Sequence, residues 1–90
     1  MNIDKPLRRE ALLPQQLGDE WMLYDEKNGS VHIINSMAEF VWRLCDGSRN
    51  LKEIEELVRE TFLVDDGVNL KQDLENIIQK FVDLGILIDE

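Results

Sequence analysis

The apolar residues of this chain of 90 residues change their period once, at Asn35, and that change limits the folds open to it. Before it, Trp21-Met22-Leu23-Tyr24 and Val31-His32-Ile33-Ile34 are short β-branched or aromatic runs of the kind that suit a pleated surface. The polar stretch Asp25-Glu26-Lys27-Asn28-Gly29-Ser30 separates them, and Asn28-Gly29 supplies the positive φ that a tight or bulged turn requires. The two runs are expected to pair as a hairpin.

After Asn35 the spacing is helical. Met37, Phe40, Val41, Leu44 and Cys45 fall on one face of a first helix, with Ser36 and Glu39 spaced as a capping box and Gly47 placed as a left-handed stop. A second helix is predicted from Leu51 to Phe62, capped by Asn50 with Glu53 three residues on, and burying Leu51, Ile54, Leu57, Val58 and Phe62. Asp65-Asp66-Gly67 reads as a turn. Asn69 and Gln72 then open a third helix that runs through Leu84 to a stop at Gly85, after which Ile86 can fold back onto Phe81. Ile86 to Ile88 suits a last short strand, and the arm up to Gln16, with Pro6 and Pro14, suits an extended segment that can add another. Hairpin plus three helices predicts an α+β domain of winged helix-turn-helix-like form, with no linker or repeat to divide it. Residues 1–90 are thus expected to be a single domain.

Composition excludes several classes of function. The longest apolar runs, such as Ile86-Leu87-Ile88, fall far short of the roughly 18–20 residues of a membrane span. The first residues lack a secretory signal, and a lone cysteine, Cys45, fits a reducing compartment, so a cytoplasmic location is expected. Nineteen acidic against ten basic residues give a net charge of −9, with Lys5, Arg8 and Arg9 gathered at the start. Such a field repels nucleic acid and anionic membranes. If the third helix entered a DNA groove, it would present Asp73, Glu75 and Asp83 to the phosphates beside only Lys71 and Lys80, which is poorly made for the purpose.

Catalytic chemistry has little support. Cys45 and His32 are the sole thiol and imidazole, and Cys45 lies on an apolar helix face where a buried, inert thiol is the ordinary reading. The acidic pairs Asp65-Asp66 and Asp89-Glu90 lack the alternating ligands of a calcium loop, and no phosphate-binding glycine pattern occurs. No enzyme activity, metal or cofactor is expected.

Two features point instead to binding. Val31-His32-Ile33-Ile34 is apolar on both faces, Val31 and Ile33 to one side and Ile34 to the other, with no lysine or proline to guard an edge. It is either an internal strand or a free edge that a partner peptide can join by main-chain hydrogen bonds. The third helix carries Leu70, Leu74, Ile77, Phe81 and Leu84 as a main stripe; on its flank Lys71, Glu75, Ile78 and Val82 lie in line and could wall a groove beside the strand.

Leu23-Tyr24-Asp25, Gly29, Val31-His32, Ile34-Asn35, Ala38, Trp42, Leu44-Cys45-Asp46-Gly47, Ile54, Asp73 and Leu84-Gly85 together resemble the PqqD family of peptide chaperones, also called precursor-peptide recognition elements. The likeness spans roughly residues 20–88 and is most specific at Trp42-Arg43-Leu44-Cys45-Asp46-Gly47. It implies a three-stranded antiparallel sheet followed by three helices, with a core of about 18–88 and an N-terminal arm at 1–17 that holds the first strand. It also implies that the leader of a ribosomally made precursor peptide pairs with Val31, His32, Ile33 and Ile34 and lies between that strand and the helix from Leu70, where the flank Lys71, Glu75, Ile78 and Val82 read from the spacing would meet it. The peptide would then pass to a modifying enzyme, often of the radical S-adenosylmethionine type, in pyrroloquinoline quinone or related biosynthesis. Trp42 is expected to pack under the hairpin. A free strand could also pair with a second copy to give a homodimer. The competing reading is a winged-helix adaptor for another protein or a transcriptional regulator.

Overall fold

The computed structural model describes residues 4–65, 67 and 69–88. A three-stranded antiparallel sheet is followed by three helices, an α+β fold compatible with the winged-helix-like description. Strands β2 (Leu12–Leu17), β3 (Glu20–Asp25) and β4 (Val31–Asn35) stand in that order, so β3 is central. Gly18-Asp19 joins β2 to β3 between paired Leu17 and Glu20; only Gly18 of the two has positive φ, the pattern of a two-residue hairpin with glycine first. The expected hairpin is β3 and β4, with Tyr24 opposite Val31 and Trp21 opposite Ile34. Its loop closes through Asp25 N–H to Ser30 O and Gly29 N–H to Asp25 O, and Gly29 takes φ +75°. The arm supplies more strand than its prolines suggested. Besides β2, which tolerates Pro14 because it lies at a sheet edge, it forms β1 (Leu7–Arg8), which pairs with β5 (Leu87–Ile88).

Helix α1 spans Ser36–Leu44, α2 Leu51–Phe62 and α3 Leu70–Leu84. The Asn50–Glu53 capping box of α2 is present in both directions, and Asn69 accepts from the Gln72 N–H at the start of α3. At the far end of α3, Gly85 is left-handed and Ile86 donates to Phe81 O, so the chain folds back as expected. The ends of α1 differ from the sequence reading. Asn35, still extended from β4, caps the helix by accepting from Ala38 N–H, while the Ser36 hydroxyl donates to Asp19 O instead. Gly47 does not stop α1, which ends at Cys45 with negative φ; the Gly47 N–H donates to Pro6 O and holds the arm. Asp66, in the predicted turn, and the Asp89-Glu90 pair lie outside the described residues.

One apolar cluster joins the layers. Leu12, Leu23 and Ile34 come from the sheet, Val41, Trp42 and Cys45 from α1 and its end, Ile54 and Val58 from α2, and Leu70, Leu74, Ile78 and Phe81 from α3. The buried stripe of α3 therefore runs through Ile78, with Ile77 half-buried and Leu84 exposed. Apolar residues at both 77 and 78 leave the period unable to choose between them, and packing makes the choice. Phe62, expected to face inward from α2, is partly exposed and meets the Phe40 ring edge-on at 5.5 Å. Trp42 is buried against the arm, with the Arg8 guanidinium 5.6 Å from its ring centroid.

Candidate functional site

β4 is an edge strand: β3 flanks it on one side, and among the described residues no strand flanks it on the other. Which of its backbone groups face that open side follows from the ladder. In an antiparallel pair, opposed residues alternate between exchanging hydrogen bonds with each other and turning those groups outward. Asp25 N–H bonds Ser30 O, and the same register makes Leu23–His32 and Trp21–Ile34 the bonded pairs. The backbone N–H and C=O of Val31 and Ile33 therefore point away from the sheet. The two-residue turn at Gly18-Asp19 agrees, since it makes Leu17–Glu20 a bonded pair across β2 and β3 and so turns the Glu20, Met22 and Tyr24 groups toward β2.

Side chains alternate with the same period of two. Ile34 is buried and His32 half-buried on the helix side, next to Trp21 and Leu23 of β3. Val31 and Ile33, each 51% exposed, face the other way, where Tyr24, Leu13 and Leu17 are also substantially exposed and Met22 is half-buried. An added strand would meet Val31 and Ile33 as cross-strand neighbours on this open face and Ile34 and His32 on the other.

The α3 residues expected to wall a groove have different surroundings. Lys71 is exposed and borders a cavity of about 210 Å³ that it shares with Leu51, Lys52 and Glu55 of α2. Glu75 and Val82 are half-buried, and Val82 packs against the core. Ile78 is wholly buried, so its side chain belongs to the core and offers no surface in this conformation. Ile34 of β4 and Ile78 of α3 are members of the same buried cluster, which is how strand and helix are tied together.

Nucleophilic chemistry finds no support at the lone thiol. Cys45 is buried, its Sγ donates to Val41 O, and burial pushes its pKa up from 9.0 to about 12, opposed by the nearby Arg8 charge. At neutral pH it is a protonated packing group. The exposed Asp46 next to it is held below the usual carboxylate range, chiefly by hydrogen bonds from the Ser48 hydroxyl and backbone N–H. Sequence reasoning missed the role of the arm, whose pairing with β5 joins distant parts of the chain and leaves no local pattern to read.

No curated protein matches the chain. Its fold is similar to that of a solved structure, TbiB1 in complex with the TbiA(beta) leader peptide, with a TM-score of 0.73 over 93% of this chain and 96% of that one at 17% identity. Residues 20–87 match the model of a family described as coenzyme PQQ synthesis protein D (PqqD), and with most of its length matched the chain belongs to that family.

Proposed function

We propose that this protein is a non-catalytic peptide chaperone that binds the leader of a ribosomally made precursor peptide as an added strand on β4 and presents it to a modifying enzyme. The observation that carries this reading is the open edge of β4, where the Val31 and Ile33 backbone groups point outward between exposed apolar side chains. Family membership supports it, as does the likeness in fold to TbiB1, itself solved with a leader peptide. A radical S-adenosylmethionine enzyme is the class of partner we propose, and the unguarded edge also suits pairing with a second copy that the leader would displace.

Titration of the labelled protein with leader peptides encoded beside its gene tests this. Amide shifts should concentrate on residues 31–34 and the flank of α3 at exposed Lys71 and half-buried Glu75. Saturating peptide that leaves the β4 amides unshifted would contradict strand addition.

A further inference from the structure

The arm places the chain's densest positive charge at a second concave surface. Arg8 N–H donates to Cys45 O and Arg9 N–H to Ile86 O, so both residues are fixed by their backbones between the end of α1 and the start of β5. Arg8 Nη1 donates to Arg43 O at 2.8 Å and Arg9 Nη1 to Gly85 O at 3.3 Å, each at a helix C-terminus. Both bonds are to carbonyls. By contrast Arg43, Arg49 and Arg59 each pair with a carboxylate, Glu39, Asp46 and Glu55 respectively. Among the described residues, in a chain of 19 acidic side chains, Arg8 and Arg9 have no carboxylate partner.

Beside them lie two neighbouring hollows. The larger, about 530 Å³, is bordered by Arg8, Arg9 and Lys27, with Glu10 as its one carboxylate among the described residues and Leu87 and Ile88 as an apolar wall. The smaller, about 370 Å³, shares Arg8, Arg9 and Glu10, has Asp46 as its second carboxylate among the described residues, and reaches Trp42, whose buried indole N–H has no acceptor among the described residues. We infer that this cleft binds a short acidic peptide segment of a protein partner, with side-chain carboxylates on the Arg8, Arg9 and Lys27 cations and an adjoining aliphatic residue against Leu87 and Ile88. Arginine suits this task because its planar fork keeps donors for a carboxylate while one is engaged by a carbonyl. A long polyanion is disfavoured, because beyond a Debye length of about 8 Å it meets the field of a chain carrying −9. A short segment stays within reach of the local cations.

The site is independent of β4, and the test separates the two. The probe is a pentapeptide of alternating leucine and glutamate, blocked at both ends so that only side-chain carboxylates are present, titrated into the labelled full chain. Saturable shifts are expected at the Arg8, Arg9, Lys27 and Ile88 amides and the Trp42 indole N–H, with Val31 to Ile34 unmoved. The glutamine counterpart should not bind, and Arg9→Gln and Lys27→Gln, both at exposed positions, should each weaken binding at least about 10-fold, the loss of one charge-assisted hydrogen bond. Equal binding of the glutamine peptide, affinity unchanged in both variants, or shifts confined to β4 would overturn the proposal. Inorganic phosphate matching the glutamate peptide in affinity would also overturn it, by reducing the cleft to an unselective anion site.

Discussion

Ile33 and Ile34 are adjacent and identical in chemistry, yet they face opposite sides of the sheet and turn their N–H groups in opposite directions. Proline separates their roles. Ile33→Pro removes an outward donor, so the fold should survive while leader binding falls at least about 10-fold beyond the effect of Ile33→Ala, the worth of a main-chain bond at the site. Ile34→Pro removes an inward bond and empties a core position, and should unfold the hairpin; circular dichroism beside binding distinguishes the two. Equal binding by Ile33→Pro and Ile33→Ala would sink this assignment of backbone direction. Cys45 gives a prediction in pH. Its folded pKa lies above its unfolded one, so the thiol favours the folded state fully below pH 9.0 and loses that contribution as pH rises toward 12. Wild-type protein should therefore lose stability in alkali more steeply than Cys45→Ala, as denaturant midpoints at pH 8 and pH 10.5 would report. At this scale the sequence told which side of β4 Ile34 and Ile33 occupy, because a strand's period is two. It could not tell that Ile78 is closed off, because Ile77 and Ile78 satisfy a helical period about equally.

Helix caps were legible where the side chain and its position have one solution. Asn50 with Glu53 was such a case, and so was Asn69. At α1 two residues competed for the cap: Ser36 matched the capping-box pattern, but Asn35 leaves β4 already extended and reaches the Ala38 N–H first. Asn35→Ala should cost about 1 kcal/mol in a denaturant titration, with Ser36→Ala costing less, since its hydroxyl bonds a turn carbonyl rather than an orphan helix donor. The reverse order would restore Ser36 as the cap. Strand β2 was only half legible: the leucines of Leu12-Leu13-Pro14 suit a strand, whereas the proline argues against one until the sheet order puts it at an edge. The junction of β4 with α1 matters most for function, because α1 starts directly after Asn35 and so fixes the inner end of the edge on which a peptide would lie.

At the scale of the molecule, the chain is held together by contacts its local patterns do not announce. β1 pairs with β5, and Pro6 and Arg8 are bonded to Gly47 and Cys45, so the arm closes over Trp42 and the end of α1. Leu87 is buried in that closure, and Leu87→Ala should cost about 2–5 kcal/mol. Iodoacetamide labelling of Cys45 would accelerate accordingly; an unchanged rate would mean that the arm does not shield the thiol. The third strand of the sheet came only from the family resemblance, whereas the hairpin of β3 and β4 and the three helices were readable from the change of period at Asn35. The order of strands was not, and it is the order that decides whether Val31 to Asn35 is enclosed or open. Amide hydrogen exchange at β4 measures this most directly. In the free protein His32 and Ile34 should exchange slowly and Val31 and Ile33 fast; with saturating leader peptide, Val31 and Ile33 should become protected while His32 and Ile34 change little. Unprotected Val31 and Ile33 in the peptide-bound protein would contradict the account.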